Sequence, residues 1–497
     1  MKNKYLFFIV LGCWMFGAIS CESWLEESPQ NKLKPATTDD YDQLLNKAYP
    51  SSQIMPYLDI LSDDVDLIAS DHVMDGPDSG DEMLSAYMWE DSHEVSIKSK
   101  DQAFTKFYET VFYTNVVLGN IGQAAGMELD EAKVRITRNN IRGEAYALRA
   151  YAYFYLVNLY AKAYDPSTAA TDAGIPLTTS TSAEDKAYRR NTVQEIYSLM
   201  EDDLKKAVQL MEDNPMKKAA KYKFDAVSAR ALLARVYLYM QKWDAAIKCA
   251  SKVISEKPVI FNLHEAGKTM TLENNTNASQ GTDYLDRTND NVLFVSGNNE
   301  LLPALSMNPN FTTFSVNKEL GNIYESEDVR RVYFMFTSTQ NTSVGVRIKL
   351  SYGKNRVIAL MYPMGGPSYG YTRVIRTEEM YLILAEAYAH QADGMDKAVE
   401  YLNRLRVEKF REGKYVPLKV ADFSQQSLLE FVWLERRKEL CFEGHRWFDL
   451  RRTTRPAMER LGYDNEKAVL LKDDPKYVLQ IPQRELDVNP AIGMTPR

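Results

Sequence analysis

Apolar residues recur every three or four positions over several long stretches of this chain, the spacing that lines one face of an α-helix. Within residues 139–162, Ala145, Leu148, Ala152, Tyr155, Leu156 and Leu159 keep that spacing, and the Ala residues between Tyr rings permit close helix approach. Phe107, Tyr108, Val111, Phe112, Val116 and Leu118 predict an inward face for a helix over 104–125. A helix over 192–211 opens with Thr192 and, three residues on, Glu195, the pattern of a capping box. Thr38, Asp39 and Asp40 set acidic residues at the positive end of an earlier helix, which should run to about Ala48. Two stretches read as helical hairpins. In the first, Ala229, Leu233 and Tyr237 climb, Gln241 and Lys242 turn, Trp243 opens the return, and Ala246, Ala250 and Val253 run back. In the second, Met380, Leu384 and Tyr388 climb, Gly394 breaks, and Ala398, Leu402 and Leu405 return.

Small residues where two helices cross are the grammar of a tetratricopeptide repeat. The two hairpins are not tandem. Residues from about 257 to 374 separate them, rich in Asn, Gly, Ser and Thr, with short β-like runs such as NVLFVSG and SVGVRIKLSY. The expected fold is therefore mainly α. A tetratricopeptide-repeat-like scaffold of helical hairpins spans about 38–256 and 375–455, with a large irregular, partly β insertion over about 257–374. An insertion of that size on one face of a scaffold is where binding loops are expected.

Residues 428–452 read as one long helical run, dense in charge and aromatics. Glu435, Glu439 and Glu443 fall at i, i+4 and i+8, stacking three carboxylates on one side. Arg436, Arg437, Lys438, Arg446, Arg451 and Arg452 supply the opposite sign. Such a helix is expected to be locked by ion pairs against several neighbours. His445 beside Glu443 and Asp449 reads as part of an ion-pair and aromatic cluster rather than as an acid–base centre, since no second His stands nearby and the chain has five in all.

The N-terminus bears on the compartment. Lys2 and Lys4 precede an apolar run over 5–17 that is too short to span a bilayer, which needs about 20 apolar residues. Ala18, Ile19, Ser20 and Cys21 then resemble a lipobox. The reading is a lipoprotein signal peptide over 1–20 and a mature domain over 21–497, with lipid on Cys21 as a membrane anchor. The alternative is an ordinary secretory leader cut elsewhere. No later segment is apolar for long enough to cross a membrane. Cys249 and Cys441 sit in helical apolar patterns and read as buried thiols, with no Cys/His spacing of a metal site.

Composition narrows the partners. A net charge of −8 argues against nucleic acid, whose phosphates call for a basic face. The 31 Tyr offer flat apolar faces with a hydroxyl, suited to sugar and peptide surfaces, although most are expected to fill helix–helix packing. Residues 57–91 are irregular and acidic. Asp75, Asp78 and Asp81 in that stretch do not fit the spacing of a calcium loop, and no metal or cofactor is called for. No nucleophile elbow, phosphate loop, zinc motif or dinucleotide fingerprint occurs. A glycosidase carboxylate pair is not visible in sequence spacing.

The stretch ERRKELCFEGHRWFDLRR resembles the C-terminal signature of the SusD/RagB family. It carries Glu435, Arg436, Arg437, Glu439, Glu443, His445, Arg446, Trp447 and Asp449. The helix over 139–162 and the closing YVLQIPQRELDVNP are similar to the family as well. The resemblance implies a non-catalytic, surface-exposed lipoprotein of the outer membrane. Such a protein binds a glycan and passes it to a SusC-like TonB-dependent transporter. A RagB-like role in peptide uptake is the main alternative; a glycoside hydrolase and an envelope scaffold are more distant ones. Candidate ligand contacts are Asp63 and Asp64 in LSDD after the first helix, Trp89 and His93 in YMWEDSH, and Tyr352, Tyr362, Tyr369 and Tyr371 near the end of the insertion. Exposed rings would stack on sugar CH faces while carboxylates and amides bond the hydroxyls.

Overall fold

Among the described residues of this computed structural model, ten helices of seven residues or more carry the architecture. It describes residues 35–50, 54–55, 57–67, 83–90, 102–182, 186–216, 220–270, 284–296, 314–342, 345–352, 354, 373–462 and 465–495, with residues 336–352 described by backbone alone. Helix α1 (Thr38–Ala48) starts on a capping box made by Thr37 and Asp40. Helices α2 (Ala103–Asn120), α3 (Glu131–Tyr160) and α4 (Val193–Asp213) follow. The expected box of Thr192 and Glu195 caps α4. The first hairpin is α5 (Ala226–Tyr239) and α6 (Trp243–Glu256), and Gln241 turns it at φ 58°. The second is α7 (Thr377–Ala389) and α8 (Met395–Val407). Helix α9 (Gln425–Leu440) and the short α10 (Arg446–Arg452) close the scaffold.

The hairpins that are far apart in sequence are neighbours in space. Helix α6 packs against α7. At that seam the Trp243 indole stacks on the His390 ring, with centroids 4.0 Å apart and planes 7° from parallel. The interrupted repeats therefore stack as if they were tandem. Helix α3 is the central member. It is amphipathic only in its first turns; from Ile141 to Tyr160 nearly every residue is buried. Its Tyr residues do pack: Phe107 stacks on Tyr155 with centroids 5.2 Å apart, and Tyr151, Tyr153 and Tyr160 are fully buried. Phe112, expected to face inward on α2, is 37% exposed, because the inward stripe of α2 runs through Phe104, Phe107, Val111 and Thr114 instead.

Strands pair only two at a time among the described residues. β1 (Val65–Leu67) of the first loop pairs antiparallel with β3 (Phe314–Val316) of the insertion. β2 (Val292–Ser296) pairs with β6 (Arg373–Arg376), so an inner strand of the insertion is tied to the strand that leads into α7. β4 (Met335–Thr342) and β5 (Gly345–Tyr352) form a hairpin. So do β7 (Met458–Leu461) and β8 (Lys467–Leu470), after α10. The runs NVLFVSG and SVGVRIKLSY are β2 and β5.

Residues 428–452 are not one helix. Helix α9 ends at Leu440, Phe442 takes φ 59° and Gly444 φ 76°, and α10 begins afresh at Arg446. Glycine suits that left-handed position because it has no Cβ. The turn carries Glu443 away from the Glu435–Glu439 stripe, to where it meets Lys354 and shares Arg376 with Glu439.

Candidate functional site

The signature residues build the polar centre of the fold. Glu435 and Glu439 are one helical turn apart on α9 and fully buried. The Glu439 carboxylate accepts from Arg376 at 2.7 Å, from Arg330 at 3.1 Å and from the Tyr284 hydroxyl, with Lys409 3.8 Å away. Glu435 binds Arg330 at 3.0 Å, Lys438 at 2.9 Å and Arg406. Burial works against both carboxylates, yet the surrounding cations hold Glu435 down at about 2 and Glu439 well below the usual carboxylate range. Glu443 accepts from Lys354 at 2.7 Å and from Arg376 at 2.9 Å. The same Lys354 ammonium donates to the carbonyls of Glu439 at 2.6 Å and Cys441 at 2.9 Å, and Arg376 donates to the Glu439 carbonyl at 2.7 Å. Those cations satisfy carbonyls that the end of α9 leaves open, at the negative pole of the helix.

The remaining signature residues have other partners. Arg436 holds Asp449 at 2.9 Å. Trp447 is fully buried and stacks on Tyr477, with centroids 5.0 Å apart. His445 is buried, and burial together with the charges of Arg235 and Arg436 keeps its imidazole neutral, well below its usual range. Neutral and enclosed, it is placed to pack rather than to shuttle protons. Cys441 is buried at the end of α9, and Cys249 is half-buried on α6.

The first loop is attached to the same helix. Arg446 grips Asp63 with two bonds of 2.7 Å, and Arg437 donates to Asp64 at 2.7 Å. Burial would raise Asp63, but the hydrogen bonds and charge of Arg446, and the charge of Arg437, bring it to about 2. These carboxylates are committed to arginines of the scaffold. Trp89 is likewise turned inward: it is 4% exposed, and its Nε1–H donates to the Leu61 carbonyl at 3.0 Å. The Arg460 guanidinium on β7 lies between two rings, 4.3 Å from the Tyr87 centroid and 4.2 Å from that of Trp89. It donates to the carbonyls of Ile60 at 2.9 Å, Tyr87 at 2.6 Å and Ser62. The structure thus brings Asp63, Asp64 and Trp89 together, as supports of a loop rather than as exposed contacts. Tyr352 ends β5 opposite Met335. Cys21, His93, Tyr362, Tyr369, Tyr371 and the acidic run with Asp75, Asp78 and Asp81 lie outside the described residues. Among the described residues no group of three or more His, Cys, Asp or Glu is arranged to hold a metal ion.

A cavity of about 1070 Å³ opens between α1, α3 and the connection from α4 to α5. Its wall carries a row of linked polar groups. The Lys223 ammonium lies 2.6 Å from Asp42 and 4.0 Å from Glu144. The Tyr49 hydroxyl donates to Glu144 at 2.8 Å and accepts from the Phe224 amide at 3.0 Å. Met127, Met216 and Tyr222 line the same cavity and are 75%, 52% and 47% exposed. Sequence reading did not find this place. Its one local signal is the break between α4 and α5 that precedes Tyr222, Lys223 and Phe224.

Two family models cover most of the chain. Residues 23–238 match a SusD-like family described as starch-binding and associating with the outer membrane. Residues 363–496 match the SusD/RagB family, described as the SusD family. The chain belongs to the SusD/RagB family. SusD-like protein P2 of Formosa agariphila is 25% identical over 503 residues, which is 91% of either chain. SusD-like protein P25 of the same organism is 23% identical over 557 residues, 96% of either chain. A solved SusD superfamily protein from Bacteroides thetaiotaomicron superimposes with a TM-score of 0.70 at 22% identity, over 93% of this chain and 100% of that one. A SusD-like carbohydrate-binding protein from Bacteroides vulgatus gives 0.69 at 21% identity, over 92% and 98%. A laminarin-binding SusD-like protein gives 0.60 at 22% identity, over 93% and 100%. These likenesses establish the SusD fold, in which the two hairpins of this chain are the repeat scaffold. No helix among the described residues is long and apolar enough to cross a membrane.

Proposed function

We propose that this SusD-family chain is a non-catalytic capture protein for glycans. On this reading it is anchored in the outer membrane by lipid on Cys21, exposed at the cell surface, and passes its ligand to a SusC-like TonB-dependent transporter. The observation that carries the reading is the pair of family matches, one of them to a family described as starch-binding and associating with the outer membrane. Two features support it. The leader ends in a lipobox-like Ala18–Cys21, and a neighbour of the same fold is named for binding laminarin. The buried signature also favours binding over catalysis. His445 and the carboxylates Glu435, Glu439 and Glu443 are closed off from solvent, so a substrate has no approach to them.

Calorimetry of the mature chain against starch, laminarin and a mixed peptide pool tests the reading. Saturable heat with one polysaccharide and no release of reducing ends is the expected result. Heat with peptides alone would move the chain to a RagB-like role. Release of reducing ends that vanishes when one carboxylate is neutralised would make it a hydrolase.

A further inference from the structure

We propose that the cavity between α1, α3 and the α4–α5 connection is an oligosaccharide subsite, separate from the first loop that holds Asp63 and Trp89. The proposal rests on the glycan-capture reading and adds a location to it. Three properties carry it. The first is size. Small-molecule sites span roughly 300–1,000 Å³, and a cavity of about 1070 Å³ has room for several linked sugars.

The second is the order of the polar groups. Lys223 sits between Asp42 and Glu144, and Tyr49 ties Glu144 to the Phe224 amide. Donors and acceptors therefore alternate along one wall, each held by a neighbour before any ligand arrives. A sugar hydroxyl donates one hydrogen bond and accepts up to two, so it matches such a row without rearranging it. Six carboxylates and one lysine line the cavity, so an anion is disfavoured there, while sugar hydroxyls can donate to the carboxylate oxygens.

The third is apolar surface lining the same cavity. Tyr222, Met216 and Met127 keep 47%, 52% and 75% of their surface in solvent. An exposed Tyr ring beside a row of fixed hydrogen-bonding groups offers both faces of a pyranose what each needs, CH groups against the ring and hydroxyls against the row. Thioether side chains are unbranched and adapt to an irregular ligand surface.

The test uses the full mature chain with laminarihexaose and maltoheptaose as probes, in calorimetric titrations of wild type, Tyr222→Ala and Asn46→Ala. Tyr222 is half-exposed, and Asn46, which also lines the cavity, bonds only weakly to Asp42 at 3.5 Å, so both variants should melt with wild type. The expected result is a Kd raised about tenfold by Tyr222→Ala and severalfold by Asn46→Ala, for whichever glycan wild type binds. Wild-type affinity in both variants would overturn the subsite and leave the capture reading standing. No heat with either glycan in wild type would remove the reading and the subsite together. Binding of a Lys-rich peptide, with neither glycan bound and with the peptide's affinity lost in Tyr222→Ala, would assign the cavity to peptides and overturn the proposal.

Discussion

Asp59 should make the protein less stable as the solution turns alkaline. The side chain lies in the first loop, 3% exposed, and its Oδ1 has no hydrogen-bond partner. Burial, and next to it the charge of Asp64, push its carboxyl up to about 8 from an ordinary 3.8; a bond from the Gly444 amide only partly opposes this. The folded pKa is therefore raised. Between the two values the folded state holds a proton that the unfolded chain has lost, so stability falls as pH rises, by about 1.4 kcal/mol per unit. From pH 6 to pH 8 the loss integrates to roughly 2 kcal/mol, since the slope fades near the folded pKa. Asp59→Asn keeps the shape and the acceptor for Gly444 but cannot ionise. At pH 6 the variant should melt close to wild type, and by pH 8 it should be the more stable of the two. Unfolding entropy is about 2.1 cal/mol/K per residue near 60 °C, or about 1 kcal/mol per degree for a chain of this size. The difference in Tm between variant and wild type should thus move by about 2 °C in favour of Asn across that range. Scanning calorimetry at half-unit pH steps reads it, and every other titrating group cancels in the difference. A difference that stays flat from pH 6 to pH 8, or moves toward wild type, would refute the claim that this carboxyl is buried neutral.

Four further outcomes follow from the same geometry. Asp63 and Glu435 have folded values near 2, below their ordinary 3.8 and 4.5; their contribution is full above about pH 4.5 and is lost as pH falls toward 2, which an acid titration followed by circular dichroism should show. Glu439→Gln leaves Arg330, Arg376 and Lys409 short of a buried counter-charge and should cost about 3–5 kcal/mol, seen as a Tm lowered by several degrees. Arg460→Met empties a site that holds three backbone carbonyls and should cost about 2–4 kcal/mol; Trp89 emission should shift to the red, and unchanged emission would show that the loop stands without the guanidinium. Gly444→Ala forces a Cβ at φ 76°, 3.1 Å from Leu58 Cδ2, and should cost about 1–2 kcal/mol of thermal stability.

What the sequence made legible was local. Each hairpin could be read because its inward residues and its breaker lie within one stretch of chain. The cap of α4 and the acidic first turn of α1 were visible for the same reason; that Thr37 caps α1 was not read. The stacking of Trp243 on His390 joins hairpins separated by the insertion, and no periodicity reports it. The break after Leu440 was hidden because Glu435, Glu439 and Glu443 keep helical spacing across it; only Gly444 hinted at the turn, and its left-handed φ is settled by Leu58, Lys354 and Arg376 from elsewhere. Asp63 and Asp64 were correctly placed on one loop after the first helix. That their charges are taken by Arg446 and Arg437, some 370 to 380 residues on, could not be seen. The cavity is invisible for a like reason. Asp42, Glu144 and Lys223 sit on three separate elements, and each looks like an ordinary surface charge until the fold brings them together.

The charged centre explains how the insertion can be held in one place. Its strands pair only in twos among the described residues, and an isolated pair of strands is marginal in water. A purely apolar seam between insertion and scaffold would leave register weakly specified, because apolar contact has no direction. Arg330 and Lys354 from the insertion, and Arg376 where it joins α7, instead each meet a defined acceptor on α9 or in the turn beyond it. A shift of one residue would strand several buried charges at once, at several kcal/mol each. The network need not add net stability to do this, because its effect is to make every other placement worse. Two of its cations also take the carbonyls at the end of α9, so the helix terminates properly only when the insertion is seated. Docking of the insertion and completion of the signature helix are thus one event.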